Sequence, residues 1–187
     1  MTPDPSPGDQ SPVGIPFALM GWIAEHADEF EPPVSNKVVW PGSDFIFMVV
    51  RGPNARNDFH VDPYDEIFLQ LRGAIRVDIV DDTGRRRERI VREGEVMLVP
   101  GGTPHAPIRP PDTWGLVVER PRAADDIDRL QWYCATCGAL LHEAQFHVAD
   151  IEVALNAAIE AVNSDEGLRT CGTCGDVLPV PSTPAPI

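Results

Sequence analysis

The stretch RNDFHVDPYDEIFLQLRG, Arg56 to Gly73, decides how this chain is read. His60 precedes the turn-like VDPYD, Glu66 opens an apolar run, and six residues later Gly73 interrupts it. Working outward, the chain from about Val38 to Glu119 is a series of short apolar runs: VVW, DFIFMVV, EIFLQLRG, AIRVDIV, RERIVR, EVMLVP and GLVVER, separated by Gly, Pro, Asp and Asn. Runs of this length, with turn residues about every 8 to 12 positions, predict a mainly β sandwich or barrel. DDTG, Asp81 to Gly84, predicts a hairpin turn, because Asp and Gly tolerate its backbone angles. Gly73 predicts a bend or bulge.

If VDPYD joins neighbouring barrel strands, His60 and Glu66 both point inward, each held by sheet. A second polar cluster, GEVMLVPGGTPHAPIR, places His105 just past a strand and a Gly/Pro turn. Two imidazoles and a carboxylate on rigid strands occupy one face of an octahedral ion and leave positions open, which suits iron-dependent oxygen chemistry. Arg56 lies four residues before His60 and Arg109 four after His105. Both are expected at the barrel mouth, where a guanidinium fork would pair with an anionic, planar ligand. Glu119 ends the apolar strand GLVVE and is expected to orient such an arginine or to exchange a proton with substrate.

Outside this region, residues 1–16 read as a mobile Pro-rich tail, 17–125 as the barrel with an N-terminal helix, 126–178 as a C-terminal segment with a helix and a cysteine site, and 179–187 as a second tail. The first helix carries Phe17, Met20, Ile23, Ala27 and Phe30 at three- and four-residue steps and is expected to end before Pro32 and Pro33, with EPPVSNK as a loop. RAADDIDRL reads as an acidic connector. The second helix starts near a cap at Asp150 and lines up Ile151, Leu155, Ala158, Ile159 and Val162 on one face. Cys134, Cys137, Cys171 and Cys174 form two C-x-x-C pairs with 33 residues between the inner cysteines, a spacing that favours tetrahedral thiolate binding of Fe or Zn in a structural role. His142 and His147, on a predicted strand, fall on opposite faces and are read as non-ligands; His26 is read as solvated.

The chain has 187 residues, 43% of them hydrophobic, enough for one sizeable core. A formal charge of −14 argues against nucleic acid or an anionic membrane as partner. No apolar run approaches membrane-spanning length, and MTPDPSPGDQSPVGIP lacks the pattern of a signal peptide, so a cytoplasmic location is expected.

The two polar clusters together resemble the paired motifs of cupins: His60, Glu66 and Gly73 in the first; Gly94, Pro100, Gly102 and His105 in the second. Asp62 stands where the common first motif has a second histidine, so the resemblance implies a two-His, one-Glu site. With GPNARNDFH, GLVVERPR, LQWYC and RTCGTCG added, the chain from about Phe17 to Gly175 is similar to the 3-hydroxyanthranilate 3,4-dioxygenase family, cupins of tryptophan and nitroaromatic catabolism. That resemblance implies Fe(II) on His60, Glu66 and His105, and a small aromatic substrate and O2 handled by Arg56, Arg109 and Glu119. It also implies a rubredoxin-like iron on the four cysteines, a homodimer, and a product, 2-amino-3-carboxymuconate semialdehyde, that cyclises to quinolinate. Departures are Ala106 and Ile108 beside the arginine and Leu69 in IFLQ; these are expected to make the pocket rim more apolar and to favour an alkyl-bearing ring. The competing readings are a cupin that binds an aromatic acid without turnover and an electron carrier centred on the cysteines.

Overall fold

The computed structural model describes residues 14–30, 35–147 and 151–187. The expected tail at 1–16 lies mostly outside these residues, as do Pro32, Pro33 and Asp150. Among the described residues, eleven strands follow the first helix, α1 (Leu19–Glu25): β1 (Asn36–Val38), β2 (Ile46–Arg51), β3 (Asp58–Val61), β4 (Glu66–Arg72), β5 (Ile75–Val80), β6 (Arg86–Val91), β7 (Val96–Val99), β8 (His105–Ile108), β9 (Trp114–Glu119), β10 (Asp128–Tyr133) and β11 (Leu140–Phe146). Helices α2 (Ile151–Ser164) and α3 (Glu166–Arg169) complete the chain. The strands form two antiparallel sheets, ordered β1-β2-β9-β4-β7 and β11-β10-β3-β8-β5-β6.

Gly73 is the corner between them. Its φ of 71° lets the chain leave β4 in one sheet and enter β5 in the other, and a Cβ there would lie 3.0 Å from Thr113 Cγ2. The hairpin at Asp81–Gly84 forms as read. The Asp81 carboxylate accepts from the Thr83 and Arg85 amides and the Thr83 hydroxyl, which fixes the turn that feeds β6.

Alternation along the strands divides the buried surface. Inside the barrel, Phe68, Ile75, Val77, Val91, Val99 and Val117 make an apolar cluster. On the outer face of the five-stranded sheet, Val49, Trp114 and Leu116 pack under Trp22 and Ile23 of α1, with Phe30. Here the helix is shorter than expected: after Glu25 it gives way to a 3-10 turn, Ala27–Glu29. Met20 faces solvent and Trp22 takes its place in the core. His26 is half-buried, stacked on the Trp22 ring at 4.4 Å. Its solvated reading from the polar helix face missed a ring surface one turn back.

The connector RAADDIDRL is strand from Asp128 onward. Burial alternates along it, with Asp128, Leu130 and Trp132 on the buried side, and β10 pairs with β3. The C-terminal segment thus extends a barrel sheet. Leu155, Ala158, Ile159 and Val162 of α2 cover Leu130 and Trp132, with Leu178 from the last segment. Trp132 has no exposed surface and its indole donates to Asn57, at 3.1 Å. Trp132→Ala is expected to lower unfolding free energy by about 3–5 kcal/mol, read from a denaturant titration.

Candidate functional site

The interior beyond the apolar cluster is polar. His60 of β3 lies directly opposite His105 of β8, the one residue pair in the register between these strands. Glu66 comes from the first position of β4, in the other sheet, and faces them across the barrel. His60 and Glu66 were expected on neighbouring strands; β3 and β4 are consecutive in the chain but belong to opposite sheets, so the two side chains meet across the barrel and not along a sheet. Glu66 Oε1 is 3.0 Å from His105 Nε2 and 3.5 Å from His60 Nδ1, and all three residues are buried. One ligand atom from each lies within 4.8 Å of the others.

Hydrogen bonding leaves these atoms facing inward with lone pairs. His105 Nδ1 is 2.9 Å from the Thr103 carbonyl, which can only accept, so Nε2 is the ring's acceptor toward Glu66. His60 Nε2 is 2.6 Å from Asp128 Oδ1, leaving Nδ1 toward the centre. Glu66 Oε1 is buried with no hydrogen-bond donor. With both imidazoles neutral the three groups are convergent acceptors, which is costly in a low-dielectric interior, and a cation between them removes that cost. The residues present therefore fit a metal ion.

Three arginines border this centre, and their partners differ. Arg56 is locked onto Asp58 through Nε and Nη2. Arg122 has a side chain 2% exposed and reaches Asp62 at 2.7 Å, Asp128 at 3.0 Å and Glu119 at 3.3 Å. Arg109 is 1% exposed and has one long contact, 3.4 Å to Gln70 Oε1, while its Nε has no partner. Burial pushes its guanidinium down to about 10, with Glu66 partly opposing. A buried, under-bonded fork is a demand for an anion. Glu119 pairs with Arg122, not with Arg56 or Arg109; burial and the nearby Glu66 push its carboxyl above the usual range. Asp62, burial-shifted to about 7, is turned to the Tyr64 amide and Arg122.

Ala106 and Ile108 do not line this space. They lie on the face of β8 opposite His105, with Ala106 buried among Phe59, Val80 and Tyr133. Leu69 likewise faces outward, into the cluster under α1. The expected apolar rim, and the alkyl-ring preference built on it, therefore lose their basis: strand alternation turns all three side chains away. Asp128, Arg122, Asp58 and Gln70 went unassigned in the sequence. The alternation Asp128, Leu130, Trp132 was the available signal for the first of them.

Cys134 and Cys137 meet Cys171 and Cys174, with Sγ–Sγ distances of 3.5 Å for Cys134–Cys174 and for Cys137–Cys171. The two knuckles repeat one turn: Gly138 N donates to Cys134 O and Gly175 N to Cys171 O, with φ near 75° and 77° at these glycines. The Cys174 amide side of that turn and its fellow amides hold the Cys171 thiol down to about 6. His142 packs against the Trp132 ring and His147 meets the Asp126 carbonyl, both away from the two clusters.

A two-sheet β-barrel with buried imidazole and carboxylate donors in its interior is a cupin-type metal-site architecture. The family model for 3-hydroxyanthranilic acid dioxygenase matches residues 13–163. Proteins called 3-hydroxyanthranilate 3,4-dioxygenase are similar: one from Neurospora crassa is 46% identical, covering 88% of each chain, and one from Bacillus thuringiensis is 40% identical, covering 87% of this chain and 91% of that one. A cupin-2 domain protein structure from Shewanella frigidimarina aligns with 54% of this chain and 92% of that chain at TM-score 0.43 and 19% identity. The chain belongs to the 3-hydroxyanthranilic acid dioxygenase family.

Gly115 of β9 tests the anion reading. A Cβ there would lie 2.6 Å from Arg109 Nη1 and 2.9 Å from Gln70 Oε1, so only glycine leaves the fork its place. Gly115→Ala is expected to weaken binding of a benzoate-type anion by about tenfold or more, one charged hydrogen bond's worth, in calorimetric titrations.

Proposed function

We propose that the chain is an Fe(II)-dependent ring-cleaving dioxygenase that converts 3-hydroxyanthranilate and O2 to 2-amino-3-carboxymuconate semialdehyde, the precursor of quinolinate. The observation that carries this is the buried His60, Glu66 and His105 triad beside the unpaired guanidinium of Arg109, in a chain of this family. His60, Glu66 and His105 would hold the iron; when bound, it supplies a route for electron density to pass from the aromatic ring to O2. Both oxygen atoms end in the product, so no outside reductant is needed.

The chain's own residues do the rest. Arg109 takes the substrate carboxylate on its free N–H groups and so fixes the ring's orientation. Glu119, whose proton affinity is raised, takes the proton from the substrate hydroxyl oxygen, while Arg122 holds that carboxylate in place. Arg56, kept rigid by Asp58, adds positive charge where oxygen charge develops. Because Ala106, Ile108 and Leu69 face away, the unsubstituted substrate is the one proposed.

The four cysteines hold a second Fe or a Zn. With four protein ligands and no open position, this metal is structural and fastens α3 and the last segment to β10 and β11. No helix among the described residues is long and apolar enough to cross a membrane. The proposed location is the cytoplasm. The proposed assembly is a homodimer packed through the exposed apolar row Ile67, Leu98 and Val96 on the outer face of β4 and β7; sedimentation of the protein and of Leu98→Lys tests it.

Oxygen uptake by anaerobically Fe(II)-loaded protein given 3-hydroxyanthranilate, with a new absorbing muconate product, tests the function. A protein that binds the acid but consumes no oxygen is a non-catalytic cupin, and the proposal fails. Cys171→Ser is expected to lower the melting temperature by several degrees while leaving turnover per catalytic iron close to that of the parent. An equal loss of turnover in fully folded protein contradicts a purely structural role.

A further inference from the structure

We propose that Asp128 is a positioning residue for His60. It fixes the imidazole as the Nε2–H tautomer, so that Nδ1 is the atom offered to the metal, and Arg122 holds Asp128 in place for this task. The inference rests on the metal reading above and extends it to residues outside the ligand triad.

Asp128 begins β10, the strand hydrogen-bonded to β3, and Leu130 two residues later lies directly opposite His60. Side chains two apart share a face, so Asp128 is the diagonal neighbour of His60 on the inner side of the sheet. Its carboxylate has no exposed surface. Oδ1 stands 2.6 Å from His60 Nε2, and the Arg122 fork covers the same carboxylate, with Nε 3.0 Å from Oδ2 and Nη2 3.1 Å from Oδ1. An ionised carboxylate only accepts, so the nitrogen facing it must carry the hydrogen. A neutral imidazole has one such hydrogen, which leaves Nδ1 with the lone pair that looks toward Glu66.

His105 is set the opposite way: the Thr103 carbonyl takes its Nδ1–H, and Nε2 looks inward. The two histidines thus present different ring nitrogens, and their outer partners differ in charge. A carboxylate behind a ligand makes the imidazole a stronger donor and pins its plane, as outer partners of metal-bound histidines do. Arg122 also reaches Asp62 and Glu119. One guanidinium therefore ties the support of a metal ligand to the acid proposed to take the substrate's proton, across β3, β9 and β10.

Imidazole nitrogen NMR on histidine-labelled protein, with the cysteine site filled and the barrel site titrated with Zn(II) as a diamagnetic probe, reads the tautomer directly. The expected result is His60 with Nε2 protonated and Nδ1 bound to metal, and His105 with the reverse. Zn(II) bound through His60 Nε2 overturns this inference and leaves the metal site standing; no Zn(II) bound by His60, Glu66 and His105 overturns both. In Asp128→Asn, competition with a chelator is expected to show Zn(II) held about 10- to 100-fold more weakly at the barrel site, with the cysteine site unchanged. Parental affinity in that variant, with His60 Nδ1 still the ligand, overturns the positioning role.

Discussion

The structure depends on three polar side chains being forced together in the barrel interior. His60 and His105 are brought side by side by a single strand-pair register, and Glu66 is pushed toward them from the opposite sheet. Each ring's far nitrogen is already committed, one to Asp128 and one to the Thr103 carbonyl, so with neutral imidazoles what remains at the centre is acceptor against acceptor. Such an arrangement is expensive to bury, and barrel closure removes any route for the side chains to turn outward. A cation is the species that makes the same geometry favourable.

The arginines sort by how far their charge is already answered. Arg56 has Asp58, and Arg122 has Asp62, Glu119 and Asp128. Arg109, the most buried of the three residues, has only the amide oxygen of Gln70 at 3.4 Å. A guanidinium with a carboxylate partner is held in place and acts through its charge; an under-bonded one in the interior is a place for a carboxylate to bind. Gly115 matters for the same reason, since a methyl group there would fill the space in which the fork lies.

Much of this was legible in the sequence because the signals are short-range. The mainly β class followed from runs and turns, and the convergence of His60, Glu66 and His105, and of the four cysteines, from residue types at fixed spacing. What was lost depended on which face of a strand a residue takes. Ala106, Ile108 and Leu69 were placed at the pocket rim by proximity in sequence to Arg109 and Glu66, yet the two-residue period turns them outward. Asp128 was hidden in an acidic run that reads as connector until Leu130 and Trp132 are counted with it. Arg122 went unassigned because Asp62, just past β3, reaches it from far back in the chain, and because spacing alone does not announce its pairing with the nearer Glu119 and Asp128. The helix at Leu19–Glu25 was found, but its buried face was set by Trp22, which lay off the expected stripe.

The central claim is that His60, Glu66 and His105 hold one redox-active ion. Anomalous diffraction at the iron edge from crystals of protein reconstituted anaerobically with Fe(II) addresses it most directly. The account predicts a peak between the two imidazoles and the Glu66 carboxylate, separate from any peak at the cysteine knuckles. Iron at the cysteines alone, with the barrel interior empty or holding only water, would contradict it.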